Sequence, residues 1–257
     1  MRQIASLLAR ALRPEGLRDI ENGWRFGNKH QLSSGRLKQA RHWRRIESFG
    51  LDLLPPMPLA GTLVVDVGAN IGEFTAAVLS VEPRARVLAI EPVPATNAQL
   101  TARFAGDGRV RVDAHAITDT AGTTSINVTE NSVFASVLAP RAEIEHEYTA
   151  GTHVQNVVEV PTALLDDLVD EPVSVLKIDV QGNEAALLRG AERTLRQARA
   201  VLMEVTFVSH YDGDTTFPDL HRIMEDQGWA LRAMSRPQSG STGTALWADA
   251  CYVPKGR

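Results

Sequence analysis

Cysteine is almost absent from this chain of 257 residues: Cys251 stands alone. One thiol excludes an intrachain disulfide and any metal cage built from cysteines. It also fits a reducing, cytoplasmic location. Aromatic residues make up 5% of the chain, so few rings are available to stack on nucleic-acid bases. No run approaches the ~20 consecutive apolar residues that span a bilayer, and no membrane span is expected. Internal repeats and low-complexity tracts are also missing. Residues 1–13 are basic and leucine-rich, but Arg10 and Arg13 interrupt any signal-peptide core. Ile4, Leu7, Leu8 and Leu12 share one helical face, which reads instead as a docking amphipathic helix.

What remains is the composition of an ordinary soluble globular protein, 44% hydrophobic and 23% charged. The length suits one large α/β domain with an extension. Residues 1–60 read as a helical N-terminal extension, a cap or an oligomer contact, with helices over 2–12 and 37–53. Pro55, Pro56 and Pro58 end it, and the main domain runs from 61 to 257. The net charge of −4 is unevenly spread. Residues 1–46 hold eleven Lys or Arg against three Asp or Glu, about +8, and the remainder carries about −12. Arg41, Arg44 and Arg45 surround Trp43. Such a segment either grips an anionic partner or packs on an acidic domain, in its own chain or a partner's, and the second reading is favoured.

From Gly61 the pattern alternates strand and helix, which predicts a parallel sheet with right-handed crossovers. Strands are expected at 62–67, 86–90, 110–114, 173–178, 200–205, 229–234 and 244–253. Helices are expected at 72–81, 94–104, 183–197 and 216–227, with a short turn or two at 164–169. Ala121-Gly122 reads as the turn of a small hairpin joining Ala116-Ile117 to Thr124–Val128. Val154–Val160 is a further β-rich segment.

The organising stretch is Val64-Val65-Asp66-Val67-Gly68-Ala69-Asn70-Ile71-Gly72. A buried strand running through glycines into a helix is the nucleotide-binding corner of a parallel sheet, where backbone N–H groups meet the ligand. The dinucleotide fingerprint requires glycine at position 70, and Asn70 stands there. Asp66 at the strand tip suits a cationic amino group and repels a diphosphate, which favours S-adenosylmethionine over a dinucleotide. Glu91, 19 residues after Gly72, ends the next strand. It is placed to accept hydrogen bonds from ribose hydroxyls; the plainer alternative is a helix N-cap. Lys177 and Asp179 share a strand face and Glu184 opens the following helix. Either they are functional, or they form a structural ion pair and a cap.

Asp66-Val-Gly-Ala-Asn-Ile-Gly72, Ala89-Ile-Glu91-Pro92, Leu176-Lys-Ile-Asp-Val-Gln-Gly-Asn-Glu184 and Leu202-Met-Glu204-Val together resemble the FkbM family of S-adenosylmethionine-dependent methyltransferases, over roughly residues 60–207. The resemblance implies an α/β fold: a Rossmann-like seven-stranded sheet, mostly parallel with an antiparallel last strand, and helices on both faces. It implies methylation of a hydroxyl on a sugar, glycan or polyketide-type natural product. Carried onto this chain, Asp66, Gly68, Asn70 and Gly72 would hold the methionine part of the cofactor. Glu91, with Pro92 beside it, would hold the ribose. His115 and Ala116 would border the adenine, and Asp179 would stand near the sulfonium methyl.

Methyl transfer to an alcohol requires alignment and removal of the hydroxyl proton. Asp179 is the expected base or orienter, supported by Lys177, with His210 and His115 as rivals. Mg²⁺ would need oxygen ligands, for which Asp179, Glu204 and Asp212 are available without a diagnostic spacing. The acceptor is expected under residues 131–153 and near Tyr211, with Asn131, Ser132 and Ser136 offering hydrogen bonds. Two other functions compete. One is an RNA methyltransferase that grips nucleic acid through the basic segment. The other is an idle binding protein, against which the intact set of Asp66, Asn70, Glu91 and Asp179 argues.

Overall fold

Short apolar runs rich in β-branched residues build the centre of the fold. The computed structural model describes residues 49–130, 134–142, 147 and 153–256. β1 (Leu63–Val67) is buried at every position and lies between β2 (Arg86–Ile90) and β7 (Val173–Ile178), parallel to both. β3 (Val110–Asp113) extends the sheet beyond β2, and β8 (Ala200–Thr206) extends it beyond β7, again in parallel. β11 (Ala245–Pro254) then runs antiparallel along β8. β9 (Trp229–Met234) and the two-residue β10 (Gln238–Ser239) both pair with the outer edge of β11.

Among the described residues this gives eight strands rather than the seven expected. The extra strand arises because the edge is broken: Trp247 pairs with Thr206 on one side and Gln238 on the other, and Ala250 with Met203 and Met234. Pro237, which has no N–H for the ladder, lies in the break.

Helices cover both faces. α1 (Glu73–Val81) and α2 (Pro94–Arg103) follow β1 and β2, and bury Phe74, Val78 and Leu100 against Val64, Val87, Val175 and Leu202. On the opposite face lie α3 (Leu165–Leu168), α4 (Glu184–Arg189), α5 (Glu192–Gln197) and α6 (Phe217–Asp226). There Leu187, Leu195, Leu220 and Met224 meet Val65, Leu176, Val201 and Met203. Each such fully buried aliphatic side chain contributes about 1.5–3 kcal/mol. Strand alternation has one consequence for the site. Asp66, Lys177, Glu204 and Asp249 each lie two residues from a member of the α1-side core, so all four share that face.

Several expectations are corrected. The helix expected over 183–197 is two helices. It breaks at Gly190, where any Cβ would collide with the carbonyl of Thr118. The Asp166 carboxylate then takes over as cap for α5, accepting the backbone N–H groups of Arg193 and Thr194 at 2.8 and 2.7 Å and the Thr194 hydroxyl at 2.7 Å. The hairpin expected between β4 (Ala116–Ile117) and β5 (Gly122–Thr129) does not form. Both strands flank β6 (Val154–Ala163) in a separate three-stranded sheet. A two-residue β4 offers few cross-strand contacts, whereas β6 pairs with β5 along eight residues.

The described end of the helix expected over 37–53 is not α-helical. Gly50 is left-handed, and a single 3₁₀ turn follows at Leu51–Leu53. The helix at 2–12, the basic cluster around Trp43, the oligomer contact assigned to the N-terminal helices, and Asn131 and Ser132 lie outside the described residues. Among the described residues no helix is long and apolar enough to cross a membrane.

The Asp166 cap generates a stability prediction. Asp166→Ala is expected to lower the unfolding free energy by about 1–2 kcal/mol. The exposed Asp167→Ala is expected to change it by less than about 0.5 kcal/mol. Urea denaturation of the two variants checks both values.

Candidate active site

The loops that leave β1, β2 and β7 at their carboxyl ends meet around one cleft. About 700 Å³ of space, part of it open solvent, lies between these loops and the three-stranded sheet. Val67, Gly68, Asn70, Glu91, Pro92, His115, Ala116, Asp179 and Gln181 lie along its walls. The apolar side is formed by Val93, Ala116, Ile117, Ile126, Ala135 and Val137.

Gly68 is left-handed at φ 77°, and its N–H and that of Ala69 both donate to the Ile90 carbonyl, at 3.0 and 2.9 Å. A Cβ at position 68 would collide with the Asp179 carbonyl, so the β1 and β7 loops touch backbone to backbone. Asn70 is left-handed at φ 48°, a conformation that asparagine tolerates. Its N–H donates to Glu91 Oε2 at 2.9 Å, while the Val93 N–H donates to Oε1 at the same distance. Glu91 is thus held rigid at the cleft wall by two backbone donors. It is placed to accept hydrogen bonds from a hydroxylated ligand.

Across the cleft, Asp179 is held from two sides. Lys177 Nζ donates to Oδ2 and Gln181 Nε2 to Oδ1, each at 2.7 Å. Glu184 does not reach the cleft. Its Oε1 accepts the N–H groups of Val180 and Gly182, bracing the loop between β7 and α4.

The remaining sequence candidates divide. His115 lines the cleft, with its Nδ1 2.8 Å from Asp113 Oδ1. Asp66 is fully buried and lies behind the cleft wall rather than on it. Thr75 Oγ1 donates to its Oδ2 at 2.7 Å, and its Oδ1 has no hydrogen-bond partner among the described residues. Gly72 is left-handed at the start of α1, where a Cβ would press into Phe104 and Leu100. Its place is in helix packing. His210 is buried outside the cleft lining, and its backbone N–H donates to Asp214.

Among the described residues no three His, Cys, Asp or Glu side chains form a group able to hold a metal ion. Asp179 and Glu204 are instead joined through the Gln181 amide, and Asp212 is exposed. Sequence reasoning missed Gln181, Asn183 and Asp249. Gln181 stood inside a quoted motif, but nothing in its spacing signalled a contact with Glu204, 23 residues later.

Residues 66–229 match the family described as the Methyltransferase FkbM domain. The chain belongs to this family. It is 28% identical over 222 residues to the 31-O-demethyl-FK506 methyltransferase FkbM of Streptomyces tacrolimicus, covering 75% of this chain and 80% of that protein. It is 24% identical over 163 residues to the 2-O-methyltransferase NoeI of Sinorhizobium fredii (strain NBRC 101917 / NGR234), covering 59% and 66%. The crystal structure of methyltransferase FkbM from Methylobacillus flagellatus KT matches with a TM-score of 0.52 at 18% identity, over 81% of this chain. This chain spans 47% of that one, and the likeness is one of fold.

Among the described residues of this FkbM-domain chain, the acids around the cleft outnumber the nearby cations. Burial pushes the Glu91 and Glu184 carboxyls up to about 7 and Asp249 up to about 6. Asp66 rises for the same reason, and Glu204 rises well above its usual range through burial and the charge of Asp179. Burial alone would pull Lys177 down, but Asp179 and Asp66 outweigh it and hold the ammonium above its ordinary range.

An acid whose folded-state pKa exceeds its unfolded value binds its proton more tightly when folded. Its contribution is therefore full below the unfolded pKa and is lost as pH rises through the folded one. The unfolding free energy in urea is expected to fall between about pH 5 and about pH 7.5. Glu184→Gln, which keeps the acceptor oxygen but cannot ionise, is expected to flatten that fall by about 2–3 kcal/mol.

Proposed function

We propose that this chain is an S-adenosylmethionine-dependent O-methyltransferase acting on a hydroxyl of a sugar, glycan or polyketide-type natural product. One observation carries the reading. A single cleft presents Glu91, pinned by two backbone N–H groups, and Asp179, pinned by Lys177 and Gln181. The names of the two relatives, an FK506-type O-methyltransferase and a 2-O-methyltransferase, support transfer to oxygen.

The residues present fit this cofactor. Asp66, behind the wall, and Glu91, on it, are carboxyls raised by burial, and a ligand carrying an ammonium and a sulfonium would favour their ionised form. Gly68 lets backbone close on backbone with no side chain between. Glu91 would accept the ribose hydroxyls, Gly68 and Asn70 would border the methionine part, and Pro92, His115 and Ala116 would enclose the adenine beside Ile117 and Ile126.

S-adenosylmethionine supplies a methyl group made electrophilic by its sulfonium. The chain supplies position and a proton acceptor. Asp179 accepts the proton of the acceptor hydroxyl as that oxygen becomes nucleophilic, a contribution of about 10²–10⁴-fold. Lys177 lies on the far oxygen of the same carboxylate and keeps it oriented. Acids on this side of the cleft oppose a phosphate backbone as the acceptor.

Two variants test the reading, with binding of S-adenosylhomocysteine by calorimetry and methyl transfer by product mass over a panel of hydroxylated acceptors. Glu91→Gln is expected to weaken S-adenosylhomocysteine about 10–100-fold through loss of charge-assisted hydrogen bonds. Asp179→Asn is expected to bind it within about threefold of the parent and to lose about 10²–10⁴-fold in kcat. Near-full turnover in Asp179→Asn would remove Asp179 as the base.

A further inference from the structure

Gln181 has no part in the chemistry above beyond touching Asp179, yet more segments of the site converge on it than on any group used there. It lies where the end of β7 turns towards α4. With φ 55° it joins Asn70 as one of two non-glycine residues with positive φ among the described residues. A glutamine gains nothing locally from that conformation, so tertiary contacts must hold it there.

The contacts are explicit. Gln181 Nε2 donates to Asp179 Oδ1 at 2.7 Å and to Glu204 Oε1 at 3.1 Å. Its Oε1 accepts the Tyr211 hydroxyl at 2.8 Å, and its main-chain oxygen accepts Ser136 Oγ at 2.5 Å. The two segments that reach it are joined to each other. The Arg141 N–H donates to the His210 carbonyl at 2.9 Å, the Asp212 N–H to the Ala139 carbonyl at 2.8 Å, and the Tyr211 hydroxyl to the Phe134 carbonyl at 3.3 Å. They also close over Gly182, where a Cβ would come within 3.1 Å of Leu138, Tyr211 and Asp214 alike.

A carboxamide suits this junction. It donates two N–H groups to two acids while accepting from a phenol. A glutamate in its place would set a third carboxylate against Asp179 and Glu204. A methionine would fill the space and make none of the bonds.

We propose that Gln181 is a positioning residue that fixes the aim of the Asp179 carboxylate and couples it to the seating of the two segments 134–141 and 207–214. Tyr211 acts through it: the phenol orients the amide, and the amide orients the acid. The proposal rests on the O-methyl-transfer reading, in which Asp179 takes the acceptor proton.

The test is a double-mutant cycle on Gln181→Met and Tyr211→Phe, with thermal unfolding and S-adenosylhomocysteine calorimetry on each protein. Gln181→Met is expected to lower kcat about 30-fold or more with S-adenosylhomocysteine affinity within about threefold of the parent. Tyr211→Phe is expected to lower kcat about 3–10-fold, and the double variant to be no slower than Gln181→Met alone. Independent, multiplying losses, or a kcat in Gln181→Met within about threefold of the parent, would overturn the coupling. An arm that needs no acceptor follows the Glu204 carboxyl ¹³C shift against pH, with Lys177, Asp179, Asp249 and Glu184 as the titratable groups around it.

Losing the amide donor is expected to move the Glu204 midpoint up by about half a unit or more in Gln181→Met. An unmoved midpoint counts against the role of Gln181. Failure of the parent to bind S-adenosylhomocysteine would sink the cofactor reading while leaving this titration to judge Gln181.

Discussion

One buried ammonium holds the carboxyl edge of this sheet together. Lys177 lies in β7 between the strand that carries Asp66 and the strand that carries Glu204, with Asp179 hydrogen-bonded to its Nζ. Taking a lysine out of water is costly, and the gain from its partners offsets that cost without making the cluster a source of stability. Among the described residues, Asp66, Asp179, Glu204 and Asp249 all act on this one ammonium. Burial, with the charge of Asp179 beside it, raises the Asp66, Glu204 and Asp249 carboxyls, and no described residue gives Asp66 Oδ1 a hydrogen bond.

The sheet topology delivers this arrangement with little local effort. β1, β7 and β8 are adjacent and parallel, so their carboxyl ends coincide, and antiparallel β11 brings Asp249 opposite Glu204. Alternation then places the four charged positions on the face covered by α1. The Gly68 crossing brings the β1 loop onto the Asp179 backbone, and Asn70 passes its N–H to Glu91. On the other wall the small sheet contributes Ile126 and, with Ala116 and Val93, an apolar surface. One side of the cleft therefore offers hydrogen-bond acceptors and charge, and the other offers flat hydrocarbon.

The parallel strands and the helices between them were legible because each strand is a short β-branched run closed by a polar residue, and each helix has a period of its own. The bounds of β2 and β7 match the residues read from pattern alone. What misled was local punctuation with a non-local cause. Ala121-Gly122 resembles a hairpin turn, but β5 pairs with a strand that begins 25 residues after it ends. The apolar period from 183 to 197 runs on through Gly190, and only the nearness of Thr118 shows why a residue without a side chain stands at the break. At the site, Glu91 and Asp179 could be singled out because a carboxylate ending an apolar strand is conspicuous. Gln181 could not, because a polar residue in a loop carries no mark of what it touches.

The order of residues by itself determined the class of fold, the glycine-bearing corner after β1 and the membership of one family, since all three rest on short-range signals: periodicity, glycine spacing and acids at strand ends. Tertiary structure alone decided that Asp66 lies behind the wall while Glu91 and Asp179 line it. It also decided that Glu184 braces a loop, that His210 sits away from the cleft, and that Gln181 joins two acids to Tyr211 and Ser136. Those assignments depend on which way a side chain faces once distant segments pack, and sequence spacing carries no information about contacts made across 23 to 45 residues.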